Sequence, residues 1–334
     1  MTAQTSAAVA LARDAFAVPA ADGVLLGGGA TANQVVVLTD GSGRRRWVLR
    51  GPRRDTRPGR LAFLHGFHHA ARTRGLPVAA PRRTVDGQPW ALDAQGQPWL
   101  LLEYLPGRPL DAVTTELAGQ AAAHLAALHR LPDHLGLTTT VVEPDTAWDA
   151  WLTAPEETWR ATTAAATGHH ALLNAYRLHL DHLQQHATDL RQTTDLVWGH
   201  GDFHGHNLLH HIGRITGVID LDGIGRRPRI TDVACAVLML ARTGSGDYRL
   251  KRHLLSAVLT SYQRHATAPL TAAETRALWP AMVLSQLPDP AHLAALRRVG
   301  CGIGPALARP LAALRDLAAQ RNRLTNLLAQ GDPQ

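Results

Sequence analysis

The side chains that could do chemistry crowd into one stretch, His200 to Gly223. It reads His-Gly-Asp-Phe-His-Gly-His-Asn, then a short hairpin, then Val-Ile-Asp-Leu-Asp-Gly. The first half spells H-x-D-x-x-x-x-N, which sets the carboxylate of Asp202 just ahead of the amide of Asn207. A phosphoryl-transfer centre uses such a pair. The carboxylate takes the proton of an attacking hydroxyl and the amide holds a magnesium ion. Asp220 adds a second hard oxygen, of the kind a magnesium-bound triphosphate requires.

Those groups depend on the elements that carry them. Leu208 to Thr216 holds apolar residues around His210-His211-Ile212-Gly213-Arg214, which predicts a turn between two short strands. The second strand, Ile215 to Ile219, delivers Asp220 at its end. Near the start of the chain, residues 5–17 predict a short alanine-rich helix. Val24 to Leu26 then enters Gly27-Gly28-Gly29-Ala30-Thr31-Ala32-Asn33 and leaves through Gln34-Val35-Val36-Val37-Leu38. That is a glycine-rich hairpin whose backbone can come close to a ligand. Asp40-Gly41-Ser42-Gly43 signals a turn, and Trp47-Val48-Leu49-Arg50 the next strand. Leu61 to Arg74 predicts a helix stopped by Gly75. Trp90-Ala91-Leu92 and Trp99 to Leu102 form a further hairpin, and Pro106-Gly107 after it marks a boundary near residue 105.

Beyond that boundary the pattern is helical. Leu117, Ala121, Leu125 and Leu128 share one face, and His129 at the end of that run reads as a core histidine. Two helical stretches are expected between 140 and 195, with Trp148, Trp151, Trp159 and Tyr176 as core residues. A wholly apolar helix follows at Val233 to Ala241, and amphipathic helices continue to Leu328.

The stretch from His200 to Gly223 resembles the aminoglycoside phosphotransferase, choline kinase-like and homoserine kinase type II superfamily, relatives of the protein kinases. The resemblance implies an α+β, two-lobed protein-kinase-like fold. A small antiparallel sheet with one helix would form a nucleotide-binding lobe at 1–104, and a larger, mainly helical catalytic and acceptor-binding lobe would span 105–334. It further implies that Asp202 is the catalytic base within a loop shaped by His200, and that Asn207 and Asp220 are the magnesium ligands. Asp232, in Ile-Thr-Asp-Val-Ala, matches the structural aspartate that opens a buried helix. ATP would lie against the glycine-rich turn (Gly28, Gly29, Thr31, Asn33), Arg50 and the hinge at Glu103 and Leu105. Two positions depart from the pattern. Arg50 stands where a lysine is usual, and Leu64, with His65 beside it, stands where a helix glutamate would orient that cation. Arginine can hold phosphate oxygens bidentately and stays charged.

The implied activity is transfer of the γ-phosphate of ATP, with magnesium, to a hydroxyl of a small metabolite or an antibiotic-like molecule. Composition is compatible with it. The chain has 334 residues, 45% hydrophobic and 18% charged, with a net charge of +7 carried almost wholly by arginine, since Lys251 is its one lysine. This is a globular composition, and the basic balance suits an anionic ligand. No compact basic stripe with interleaved aromatics points to nucleic acid. No uncharged apolar run approaches the roughly 18 residues of a membrane span, and no signal-peptide pattern begins the chain. Two unpaired cysteines, Cys235 and Cys301, suit a cytoplasmic setting.

Other readings of the same residues compete. The histidines at 200, 204, 206, 210 and 211 are dense enough to suggest zinc, but the hydrolase orders HxHxDH and HExxH are absent. A non-catalytic, regulatory nucleotide binder would fit the changes at Arg50 and Leu64, though not the intact Asp202, Asn207 and Asp220. A protein kinase would need an activation segment between Asp220 and Asp232. A polycationic acceptor would call for an acidic pocket. From Arg226 onward the acids are only Asp232, Asp247, Glu274, Asp289, Asp316 and Asp332, so the acceptor is expected to be a neutral, aromatic or anionic alcohol. The run Gly225 to Arg229 either meets an anionic group or is solvated.

Overall fold

The computed structural model describes residues 2–26, 34–51, 56–137, 148–193, 196–244 and 246–324. The chain forms two compact units. One comprises Met1–Gly107, His134–Glu143 and Thr216–Leu221, and the other Arg108–Asp133, Pro144–Ile215 and Asp222–Gln334.

In the first unit, α1 (Ala3–Phe16) is N-capped by Thr2 and stops at Ala17, which adopts the left-handed conformation at φ 50°. The strands β1 (Asp22–Leu25), β2 (Gln34–Thr39) and β3 (Arg45–Gly51) follow, then α2 (Pro58–Thr73), β4 (Pro81–Arg82), β5 (Ala91–Leu92) and β6 (Pro98–Glu103). They make one antiparallel sheet of order β1-β2-β3-β6-β4, with β5 also paired to β6. Strand alternation decides what each face carries. Val36, Leu38, Leu49, Trp99 and Leu101 pack with Val9, Ala12 and Phe16 of α1 in one core. Arg50, next to Leu49, therefore points to the opposite face. The helix α2 begins earlier than its apolar pattern suggests, because Pro58 occupies its first turn, where a missing N–H costs nothing. Gly75 ends it at φ 84°, as its position predicts.

The second unit is mainly helical. It contains β7 (Arg108–Pro109), α3 (Thr115–His129), α4 (Ala150–Thr153), α5 (Pro155–Ala165), α6 (His170–Arg191), β8 (Leu196–Gly199), β9 (Leu208–His211) and the start of β10 (Arg214–Val218), whose last residues belong to the first unit. Then come β11 (Gly225–Pro228), α7 (Arg229–Leu240), β12 (Arg242–Gly244), β13 (Asp247–Leu250), α8 (Arg252–His265), α9 (Ala272–Leu284), α10 (Pro290–Arg298) and α11 (Ile303–Ala319). The two helical stretches expected between 140 and 195 are three among the described residues. Pro155 opens a new helix directly after α4, and Gly168, at φ 90°, separates α5 from α6. The core expectation holds for Trp151 and Tyr176, which are buried and bonded to the carbonyls of Pro288 (3.1 Å) and Leu307 (2.6 Å). Trp159 is only partly covered and stacks under Arg177. The helix α7 is the spine of the unit, packed by α3, α8 and α9. The α+β class with an antiparallel sheet is as the sequence predicts. No helix among the described residues is long and apolar enough to cross a membrane.

Candidate active site

The site is built on a loop that one buried carboxylate holds in place. β8 pairs antiparallel with β11, Gly199 opposite Gly225, and the chain then turns at His200. The backbone N–H groups of His200 and Gly201 donate to Asp232, at 2.5 and 3.0 Å. Asp232 is 1% exposed and lies in the first turn of α7, where the helix dipole favours a negative charge. Its carboxylate also meets Nε2 of His129 at 3.3 Å, and Nδ1 of His129 meets the Tyr262 hydroxyl at 2.7 Å. Burial works to raise the Asp232 carboxyl, but the His129 hydrogen bond and the charges of Arg227, His129 and His200 outweigh it. The group stays well below the usual carboxylate range.

That anchor turns Asp202 outward. The ring of fully buried His200 packs edge-on against Phe203, and its Nδ1 accepts the N–H of Asp202 at 3.3 Å. The Asp202 side chain remains 62% exposed. Its Oδ2 lies 3.1 Å from His204 Nε2 and 3.2 Å from the amide nitrogen of Asn207. Desolvation in the loop works to raise its carboxyl, yet His204, His200 and Asn207 together hold it below its ordinary value. Asp202 is therefore an anion at neutral pH. Asn207 closes a short helical turn, Gly205–Asn207, and also donates to the Asp202 carbonyl at 2.9 Å. Because its nitrogen is committed there, its amide oxygen is the atom left for a hard cation. Amide and carboxylate oxygens are the donor chemistry magnesium takes. Gly205 is required where it stands, since a Cβ would run into the carbonyl of Leu110, whose own N–H bonds Gly205.

A cavity of about 540 Å³ opens beside this loop within the second unit. Asp202, Arg227, Cys235, Met239, Trp151 and Leu284 are among the residues that line it. Burial and the neighbouring charges of Asp202 and Asp232 push the Cys235 thiol up, so it stays protonated. Of the arginines between Gly225 and Arg229, none is simply solvated. Arg226 reaches Asp133 at 2.7 Å and lies over the Trp198 ring. Arg229 is clamped by Glu274 at 2.6 and 2.7 Å. Arg227 is buried against the loop and lines the cavity.

The first unit holds the other expected residues. Arg50 is buried and ion-paired with Asp220. Asp220 is itself half-exposed and adopts φ 62°, a left-handed conformation that side-chain-bearing residues adopt at a cost of about 1–2 kcal/mol and that clusters at functional sites. The strand leading to it is fixed by the Val218 N–H on the Pro77 carbonyl (2.8 Å) and by the Thr216 hydroxyl on the Pro106 carbonyl (2.5 Å). Leu64 and His65 are both buried in α2. The residue sequence reasoning missed is His68, one turn further along. Its Nδ1 bonds the Ala79 carbonyl at 3.0 Å, and burial, helped by the charges of Arg50 and His65, lowers its pKa to about 4. Glu103 is exposed and reaches Arg72 at 3.4 Å, while Leu105 is buried. Gly28, Gly29, Thr31 and Asn33 lie outside the described residues. Among the described residues no three His, Cys, Asp or Glu side chains are grouped to hold a metal.

Residues 22–270 match the sequence profile of the phosphotransferase enzyme family. The chain belongs to that family. Among solved structures it is similar to an aminoglycoside phosphotransferase from Alicyclobacillus acidocaldarius, at 18% identity and TM-score 0.63, covering 94% of this chain and 92% of that one. It is also similar to a spectinomycin phosphotransferase in complex with ADP and spectinomycin, at 12% identity and TM-score 0.60, covering 100% and 96%. A Plasmodium vivax ethanolamine kinase aligns at 14% identity and TM-score 0.59, covering 91% and 83%. At such identities these likenesses establish the phosphotransferase fold. No curated protein matches the sequence.

Proposed function

We propose that this member of the phosphotransferase enzyme family is an ATP-dependent kinase of a small-molecule alcohol. The observation that carries the reading is the loop at His200–Asn207, anchored by the buried Asp232, where an outward, ionised carboxylate is held beside an amide. Asp202 orients the acceptor hydroxyl and takes its proton as the oxygen attacks the γ-phosphate of ATP. His200 keeps the loop in shape through its buried ring. Asn207 and Asp220 would hold magnesium, which when bound offsets negative charge on the phosphate oxygens. Arg50 draws charge from the phosphates, and its attraction for Asp220 keeps both groups oriented. The division into a nucleotide-binding part at 1–104 and a catalytic part at 105–334 belongs to the same reading. So do ATP contacts at the turn of Gly28, Gly29, Thr31 and Asn33 and at the hinge residues Glu103 and Leu105, and a cytoplasmic setting.

The test is release of ADP from ATP, with and without magnesium, over a panel of hydroxylated metabolites, with the product identified by mass. Magnesium-dependent transfer that collapses in Asp220→Ala is expected. Transfer at near the parental rate in Asp220→Ala would end the assignment.

A further inference from the structure

Arg227 has no role in the scheme above. It is 8% exposed, sits in β11, and lines the same cavity as Asp202. One guanidinium nitrogen donates to the Gly223 carbonyl at 2.6 Å, while its buried Nε has no hydrogen-bond partner. Among the described residues no carboxylate lies within 4.0 Å of it. Asp232 feels its charge but spends its oxygens on His200, Gly201 and His129. The seat is purpose-built, because a Cβ on Gly199 would run into the Arg227 side chain and one on Gly201 would lie 2.8 Å from its terminal nitrogens. A buried guanidinium without a carboxylate partner is costly. A ligand in the cavity bearing an acidic oxygen would supply that partner.

The rest of the lining narrows the class. Trp148, Trp151, Met239, Leu284, Leu287 and Pro288 are apolar. The remaining carboxylate, Asp289, caps α10 by accepting the Ala291 N–H at 2.9 Å. An ammonium group placed beside Asp202 would also lie near the positive charge of Arg227, whereas a carboxylate there would meet it. We infer that the acceptor is a hydroxy acid with an apolar or aromatic body, its hydroxyl at Asp202 and its carboxylate anchored by Arg227. This rests on the kinase reading for the role of Asp202, whereas the anchor itself is a binding claim.

The full chain is titrated by calorimetry, first with magnesium and ADP, then with three probes. These are 3-phenyllactate, 1-phenyl-2-propanol (the same skeleton with methyl for carboxylate) and kanamycin. The wild type is expected to prefer 3-phenyllactate over the matched alcohol by about 10- to 100-fold, the span of a charge-assisted hydrogen bond. Arg227→Gln brings that ratio close to one and Arg227→Lys restores part of it, which a merely structural arginine would not do. A wild-type ratio near one, a ratio that survives Arg227→Gln, or tighter binding of kanamycin than of 3-phenyllactate overturns the inference. The wild-type ratio decides even if the variants fail to fold. Nucleotide binding with no acid preference removes the anchor and leaves the kinase reading. An acid preference without nucleotide binding does the reverse.

Discussion

Asp232 and Asp202 are the same side chain in one small region of the second unit, and they are used in opposite ways. Asp232 is 1% exposed and gives its oxygens to two backbone N–H groups and a buried histidine. Asp202 is 62% exposed and has one oxygen steadied from the side by His204 and Asn207. The same contrast separates two ion pairs. Arg229 and Glu274 are both buried, and Arg229 also donates to the Ala268 and Pro269 carbonyls at 2.8 and 2.9 Å. In the first unit, Arg50 is paired with a half-exposed Asp220 on a left-handed backbone. Polar groups with every valence met hold the fold. Those left with an open side are available for chemistry.

The sharpest way to break this comparison is Asp202→Asn. Phosphotransfer in a coupled ADP assay should fall by about 10²- to 10⁴-fold, the usual contribution of a positioned base, with the denaturation midpoint almost unmoved. Asp232→Ala should do the converse, lowering unfolding free energy by about 3–5 kcal/mol in a urea titration, because buried donors lose their acceptor. Its depressed carboxyl also fixes a sign. The stability Asp232 contributes is complete above the usual carboxylate pKa of about 3.9 and drains away as pH falls below it. That acid-side loss should shrink in the variant.

His68 sharpens the comparison in the first unit. Its folded pKa of about 4 lies below the ordinary value of 6.5, so the unfolded chain takes up the proton first. Stability attributable to His68 is present above pH 6.5 and lost toward pH 4, on the order of 2–3 kcal/mol. His68→Phe should flatten that part of the pH profile in thermal unfolding. Arg50→Met should raise the KM for ATP by about 10- to 100-fold, as expected for losing a charge-assisted contact to phosphate, and Arg50→Lys by less. Glu103→Gln, at an exposed contact with Arg72, should change unfolding free energy by less than about 0.5 kcal/mol. A large effect there would mean that the contact with Arg72 helps hold the fold.

Much of the site was legible because its signal is local. The spacing of His200, Asp202 and Asn207 within one loop, and Asp220 at a strand end, needs no knowledge of distant contacts. The helix expected at Val233–Ala241, which forms as α7 from Arg229 to Leu240, follows from its wholly apolar run, and the end of α2 at Gly75 from glycine geometry. That His68 would sit beside Arg50 was not legible, because a helix pattern does not say which turn faces a given strand. Nor could the run Gly225 to Arg229 be divided by reading it. Three arginines of one kind found three fates, on Asp133 and Trp198, in the cavity, and on Glu274.

The sequence alone determined the strands and helix around Arg50, the place of the loop at His200–Asn207 and the type of each group in it. Those properties are set by neighbours along the chain, through backbone preference and side-chain period. Only the tertiary structure decided which polar groups are spent and which are left open. Burial and hydrogen-bond satisfaction depend on residues far apart in the chain, as His129, Asp232 and Tyr262 show by meeting in one network.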